Sequence, residues 1–509
     1  MKQAEQATGK AIVIGGGFAG ILTARVLSDY YSEVLVIEKD EYPEKPGERA
    51  GIPQAFHPHR FTDRGKQIAN RLFPGYEDEM IAGGARSVRN KKLYFLNQYG
   101  SLEMQNPDDD LKFSRALLEW VLRRRAHDIP NVRFMPKHEV VSLLTNAERS
   151  AVTGVRVSER SGMRRERELA AELVVEAGGR GSRLSAWLTE LGYSVPEPNR
   201  LQLSLGYSTR RYRIPSHLAH LTEMWDTIHI SGQPAQGTFG GVFSTIEHNM
   251  AELVLSRPGG QYPPVNANEF EKAVAGLPDK LIADIVQQLE PLAPPRAYRI
   301  PELYCHCYEQ MDRWPSGLLV IGDAYCIYDP VFGQGMTVAA IAAEMLGSCL
   351  REQQSEPRPD FAQRFHRSIK RVIETAWWFN CAADLQWERV EYAGPRPLKG
   401  IEFGCRYLDL FLRYATERGD LTLYGLYWGV SSLGIPPRFL FHPETAAAVL
   451  AATEEGKRLL GELAAEGEEL ADALFRILPE HFIMMDDESA KEWAAIVPDE
   501  RKSTAPNPG

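Results

Sequence analysis

The ten residues AIVIGGGFAG, Ala11 to Gly20, constrain the fold more than any other part of this chain. A short apolar run enters a cluster of glycines, and AGILTARVLSDY follows with helical spacing of its apolar residues before EVLVIEKD supplies a second apolar run. This is the pattern of a βαβ unit opening a parallel sheet. Gly15, Gly17 and Gly20 complete G-x-G-x-x-G between the strand and the helix. Such glycines serve three ends: a tight turn at the first, close backbone approach to a pyrophosphate at the second, and close helix packing at the third, with the helix N-terminus turned to the phosphates. After seventeen intervening residues, Glu38 ends the second strand. A carboxylate there accepts the hydroxyls of an adenosine ribose and repels a 2′-phosphate, so the expected ligand is NAD or FAD rather than NADP. Phe18 and Ala19 in the loop, and Lys39 beside the acid, join the candidate cofactor contacts.

Charge and cysteine usage exclude several function classes. A chain of 509 residues with net charge -10 lacks the basic footprint of a nucleic-acid binder, and its length implies more than one domain. The local basic runs Arg123–Arg125 and Arg164–Arg167 read as solvated surface, the first on a helix and the second on a hairpin turn. Six irregularly spaced cysteines do not make a disulfide framework and fit a reduced cytoplasm. Cys305 and Cys307 flank His306 in YCHCY, but with no second ligand pair they read as strand residues packed on the core, and no metal site is expected. The segment MKQAEQATGK carries no export signal, and no window is apolar enough to insert in a membrane.

Along the chain, Ser114 is a candidate N-cap for a helix over SRALLEWVLRRRAH, and NVRFM, HEVVSLL and AVTGVRVSE read as short strands. The apolar run AELVVEAGG returns to the first sheet. From about Leu201 alternating strands, then NEFEKAVAGL and LIADIVQQL, indicate an antiparallel sheet with helices. SGLLVIGDAY and the helix GMTVAAIAAEMLGSCL belong again to the first domain, which is therefore discontinuous. Beyond Phe361 helices dominate, with the aromatics of ETAWWFNCAADLQW read as core, an acidic helix or two over EEGKRLLGELAAEGEELADALFRIL, and a frayed tail at DERKSTAPNPG.

The later glycine motifs decide between NAD and FAD. LLVIGDAYCIYDPVFGQGM, Leu318 to Met336, resembles the flavoprotein aromatic hydroxylases of the p-hydroxybenzoate hydroxylase-like, group A family. In that family a strand ends in Gly-Asp and the aspartate holds the ribityl chain of FAD; here the pair is Gly322 and Asp323. A Pro-x-x-Gly-x-Gly turn then places a helix N-terminus at the flavin, matched by Pro330, Gly333 and Gly335 with Met336 following. LVVEAGGRGSRL resembles the family's middle motif through Gly179, Arg180, Gly181, Ser182 and Arg183, with Glu176 where an aspartate is usual and Gly178 between them a candidate FAD contact. RAGIPQAFHPHRF and SRALLEW are similar to segments of bacterial flavin monooxygenases acting on polyketide-like natural products, so the resemblance sets Arg115 toward the pyrophosphate and Arg49 and Val140 among the FAD contacts.

The resemblance implies an α/β protein: a discontinuous Rossmann-like FAD-binding domain (1–195 and 301–355), an inserted antiparallel-sheet substrate domain (196–300), and a C-terminal helical region (356–509). It implies an FAD-dependent monooxygenase that hydroxylates or epoxidises an apolar, polyketide-like substrate, free or carrier-tethered, through a flavin 4a-hydroperoxide. NAD(P)H would serve as a transient reductant, since no second glycine-rich βαβ unit is present. The W-x-W-x-I-P motif of flavin halogenases is absent. Pocket candidates come from position: Tyr207, Arg210 and Arg211 on a substrate-domain strand, the two arginines facing opposite ways, and His57, sharing a face with His59. Asp329, where relatives carry asparagine or histidine, would set a carboxylate beside the flavin and oppose its reduced anion. That departure keeps an alternative open, an FAD-binding cyclase that folds a polyene for ring closure without net redox.

Overall fold

The computed structural model describes residues 9–106, 110–160, 165–463 and 467–483. The tail expected at DERKSTAPNPG and Arg164 of the basic turn lie outside the described residues.

Five parallel strands form the first sheet, in the order Leu318–Val320, Leu173–Glu176, Lys10–Ile14, Glu33–Ile37 and Val132–Met135. Helices and a small antiparallel layer of strands pack against it and bury its central strands, which is why these read as continuous apolar runs rather than alternating ones. Register fixes what happens at the carboxyl edge. Ile14 lies level with Ile37 and with Glu176, and Glu176 with Val320. Gly15, Glu38, Ala177 and Ile321 therefore leave the sheet side by side. The helices Phe18–Leu27 and Gly335–Ser355 pack on one another, with Gly347 against Val26 and the Tyr30 hydroxyl donating to the Gly347 carbonyl at 2.9 Å. The strands His138–Thr145, Val152–Glu159 and Glu166–Ala170 form a small antiparallel layer within the first half of the domain, whereas NVRFM, expected with them, is the edge strand Val132–Met135 of the parallel sheet.

The second sheet is built around one fifteen-residue strand, Asn199–Arg213. It pairs antiparallel with Met250–Arg257, Arg296–Cys305 and Glu391–Ala393. The sheet continues through Gly240–Ile246 and Trp225–Ile230 to the hairpin Lys92–Asn97 and Gly100–Gln105. That hairpin, early in the chain, the strand ending at Cys305 and the strand Glu391–Ala393 complete a sheet otherwise drawn from 196–300. Helices Ala267–Ala275 and Leu281–Val286 close its outer face over Phe243, Phe270 and Ile282.

The C-terminal region is helical, including Phe361–Asp384, Ile401–Glu417, Leu421–Ser431, Glu454–Leu463 and Leu470–Ile477. Trp377 and Trp378 are buried as core, Trp377 in the core of the first domain and Trp378 in a separate helical core with Phe379, Phe441 and Phe482. The helix Phe361–Asp384 thus ties the two together. Among the described residues no helix is long and apolar enough to cross a membrane.

Two expectations are corrected. Arg123 is not solvated surface: it is buried, donates to the Pro43 carbonyl at 3.0 Å and covers the Tyr42 ring. Its long stem packs while its head finds a carbonyl. Cys307 falls just past the strand, which ends at Cys305, and caps a short turn, although both cysteines are buried as expected.

Candidate functional site

The carboxyl ends of four adjacent strands open onto one cleft of about 520 Å³. In open parallel sheets this is where ligands bind. Gly15, Gly17, Phe18, Ala19, Glu38, Lys39, Arg49, Arg115, Val140, Gly178, Arg183, Gly322, Asp323, Pro330, Gly333, Gly335 and Met336 all line it. Gly20 does not, and its place explains why: a Cβ there would run into the Gly15 carbonyl, so this glycine serves helix packing. Gly15 has φ +95°, and a Cβ on it would sit 2.5 Å from the Ala177 carbonyl oxygen. Gly17, by contrast, faces open space, with the Arg49 guanidinium 3.7 Å from where its Cβ would be.

At one end of the cleft a buried ionic network organises the loop. Glu38 accepts from the Gly16 amide at 2.9 Å and the Asp40 amide at 3.0 Å, and pairs with Arg49 at 2.8 Å. Burial pushes the Glu38 carboxyl up, but Arg49 and the two amides outweigh it and hold it below its ordinary value. Arg49 also bonds Glu119 at 2.9 Å and the Gly16 carbonyl at 3.2 Å. Glu119 stands one helical turn after Arg115, which it meets at 3.5 Å. Sequence reasoning missed Glu119, and the i,i+4 spacing within SRALLEW was its signal.

Four buried polar atoms of cleft-lining residues have no hydrogen-bond partner among the described residues: Nε of Arg115, Oε2 of Glu176, Nε1 of Trp187 and the Tyr328 hydroxyl. The Arg115 guanidinium lies 5.0 Å over the Phe18 ring, and its charge acts on Asp323. A buried cation with a free donor, beside an open glycine and a helix N-terminus, fits a polyphosphate. Burial pushes Glu176 up to about 7, offset in part by the Gly178 amide, which donates to its Oε1 at 2.9 Å. The longer side chain thus closes its own turn.

At the other end, Asp323 is raised by burial, an effect tempered by Arg115 and Arg180. The turn Pro330–Phe332 is capped by Asp329, whose Oδ1 accepts from the Val331 amide at 2.8 Å. Gly333 takes φ +65°, and the helix Gly335–Ser355 begins at the cleft wall.

None of the four pocket candidates lines the cleft; Tyr207 and His57 each contact a residue that does, Asp329 and Tyr298 respectively. Tyr207 donates to Asp329 Oδ1 at 2.6 Å. His57 Nδ1 meets Thr209 Oγ1 at 2.6 Å, and burial together with Arg211 and Arg296 pushes this imidazole down to about 4, so it is neutral near pH 7. Arg210 and Arg211 do face opposite ways, the first bonded to Glu271 at 2.5 Å and the second to Glu252 at 2.8 Å and Glu48 at 3.0 Å. The wall at this end is formed instead by His59, Arg60, Tyr298, Tyr328 and Gln334. Arg60 acts on His229 and Tyr424, two members of an aromatic group with Phe95 and Trp428 whose rings lie 5.4 to 6.4 Å apart in contacting pairs. That group joins the second sheet to the helix Leu421–Ser431.

Residues 8–376 match the family described as FAD binding domain. The chain belongs to this family of flavoproteins. It is 31% identical over 395 residues to Protein Rv3254 of Mycobacterium tuberculosis, covering 76% of this chain and 82% of that protein. It is 24% identical over 375 residues to violacein synthase of Chromobacterium violaceum, covering 70% and 80%. Among solved structures, the flavin-dependent brominase Bmp2 superposes with a TM-score of 0.61 at 16% identity, over 89% of this chain and all of that one. PqsL of Pseudomonas aeruginosa, described as a probable FAD-dependent monooxygenase, gives 0.54 at 15% identity, over 82% of this chain and 100% of PqsL. The group A, p-hydroxybenzoate hydroxylase-like fold expected from the motifs is therefore the fold of this FAD-binding protein.

Proposed function

We propose that this protein is an FAD-dependent monooxygenase acting on an apolar natural product, free or carrier-tethered, with NAD(P)H from solution as reductant. The observation that carries the reading is the convergence of three glycine-bearing strand ends and the strand end at Glu38 on one cleft whose buried Arg115 has a donor to spare. Within it, Gly15 and Gly17 would let a pyrophosphate approach the helix Phe18–Leu27, Arg115 would neutralise it, Glu38 would receive the adenosine ribose, and Asp323 the ribityl chain. Bound FAD supplies the redox chemistry that moves electrons from the reductant to oxygen and oxygen to substrate. The protein orients the reactants and keeps the site dry. Gly333 and the N-terminus of the helix Gly335–Ser355 would stabilise negative charge at the flavin edge. The aromatic group of Phe95, His229, Tyr424 and Trp428 supports an apolar or aromatic substrate. The description of PqsL as a probable FAD-dependent monooxygenase supports the same class.

The cyclase alternative drew on a charged Asp329. Asp329 is buried, and burial pushes its carboxyl up, while the Tyr207 hydroxyl and the Val331 amide that donate to it push it down. The test is to release the bound flavin from purified protein, identify it by mass, and follow NADH and NADPH oxidation against a panel of apolar arenes and alkenes. FAD with substrate-stimulated oxidation and gain of one oxygen supports the proposal. Ring closure of a polyene without reductant refutes it.

A further inference from the structure

The face of the second sheet turned away from the cleft carries arginines with no role in the chemistry above. Gly206 has Arg257 beside it on one neighbouring strand and Arg299 on the other, so the three share a face. Tyr207, next along the strand, turns the other way to Asp329 at the cleft wall. The two arginines therefore stand across the sheet from the cleft. The turn Pro258-Gly259-Gly260, whose glycines both take φ +82°, brings Tyr262 back over Gly206, where a Cβ would lie 2.5 Å from the tyrosine ring. Arg299 covers that ring at 4.3 Å.

Arg257 opens instead into a second cavity, of about 310 Å³, with Gly237, Gln261, Trp387, Glu388 and Arg389 in its walls. Its guanidinium lies 5.9 Å over the Trp387 ring, and Nη1 donates to Gln261 Oε1 at 2.5 Å. The other edge is free. Nε is buried without a hydrogen-bond partner, and Nη2 has none either among the described residues. Nη2 faces Gly237, where even a Cβ would sit 2.7 Å away, so only a glycine leaves the space beside this edge open. Among the described residues no carboxylate lies within ion-pair distance of Arg257, Arg299 or Arg389. Burial pushes the Arg257 guanidinium down, Glu388 pushes it back up, and Arg389 pushes it down again. Arg257 and Arg389 against Glu388 leave the cavity walls with one positive charge in excess.

An arginine that only packs closes its donors on carbonyls, as Arg123 does on Pro43. Here two N–H groups on one edge are left over, and that edge matches two oxygens of a single anion. We propose that this cavity is a second binding site, for a phosphate monoester. Nε and Nη2 of Arg257 hold two of the phosphate oxygens, Gln261 fixes the guanidinium, and Arg389 meets the second charge, which a carboxylate lacks. The site is independent of the proposed flavin chemistry and lies on the opposite face of the sheet.

The test is isothermal titration of the purified holoprotein at low salt with inorganic phosphate, adenosine 5′-monophosphate and glucose 6-phosphate, the two esters distinguishing a nucleotide from a sugar source. The expected result is saturable binding of inorganic phosphate and of at least one ester. Arg257→Met should weaken it by about 10- to 150-fold, the worth of a charge-assisted hydrogen bond. Arg257→Lys, which keeps the charge but not the two-donor edge, should stay close to Arg257→Met, and Arg115→Met in the cleft should leave this binding unchanged. If Arg257→Met does not fold, as read from flavin content and Tm, the exposed Arg389→Ala takes its place and should weaken binding about two- to fivefold. No saturable binding, inorganic phosphate binding without either ester, full affinity in Arg257→Lys, or loss of binding in Arg115→Met rather than at Arg257 overturns the site. Should the binding behave as expected in a protein that holds no flavin, the functional reading fails and this site stands.

Discussion

The same substitution, glycine to alanine, should have opposite effects at two positions three residues apart. At Gly17, φ is -80° and the added methyl meets nothing closer than 3.7 Å. Removing a glycine from the unfolded chain gains about 0.4–1 kcal/mol. Alanine is a poorer N-cap than glycine by about the same amount. The folding free energy of the cofactor-free protein should therefore stay within about 0.5 kcal/mol of wild type. The methyl, however, occupies the space a pyrophosphate needs, and a loss of even about 1.4 kcal/mol weakens FAD tenfold. At Gly20 the methyl meets the Gly15 carbonyl, a backbone atom that cannot move aside without shifting the strand. Overpacking of this kind costs about 1–3 kcal/mol. Thermal unfolding of the apoproteins together with FAD titration by flavin fluorescence separates the two effects. Gly17→Ala should keep its Tm and lose FAD affinity, while Gly20→Ala should lose Tm. A Gly17→Ala protein that is destabilised yet binds FAD as wild type would refute the assignment of this loop to the pyrophosphate.

Arg115→Met should weaken FAD by about 10- to 150-fold, the worth of one charge-assisted hydrogen bond, while apoprotein stability holds because Glu119 keeps Arg49; equilibrium titration and melting measure both. Glu176, pushed up to about 7 by burial, binds its proton more tightly in the folded chain than unfolded, so its contribution to stability falls as pH rises from about 4.5 to about 7. Glu176→Gln should remove up to about 3 kcal/mol of that fall, read from denaturant unfolding of the apoprotein at pH 5 and pH 8. Gly404→Val should destabilise the C-terminal helices, since even a Cβ at this position runs into the Trp378 ring; proteolysis of the region after Phe361 should accelerate relative to wild type.

The nucleotide half of the fold was legible in the sequence because its signals are local. A buried strand, its glycine turn and the following helix lie within twenty residues, and each glycine answers to a steric demand in its own loop. The remainder depends on partners far away in the chain. Lys92–Asn97 joins the second sheet by parallel pairing with Trp225–Ile230, and nothing near residue 92 specifies that neighbour. Arg123 reads as surface until Pro43 and Tyr42 close over it. Asp329 is legible beside the proline turn, but its partners Tyr207 and Asn380 arrive from a strand and a helix far away in the chain. Position on the long strand correctly gave Arg210 and Arg211 opposite faces, yet it did not reveal the glutamates that engage them.

The most direct test of the central claim is the reaction of the reduced protein with oxygen. Bound flavin is reduced photochemically without air and mixed rapidly with oxygenated buffer, with and without apolar substrates, while absorbance is followed between the bands of reduced and oxidised flavin. A site built for oxygen transfer predicts a transient species distinct from both, whose decay speeds up when an oxidisable substrate is present. A single-step return to the oxidised spectrum under every condition would contradict it.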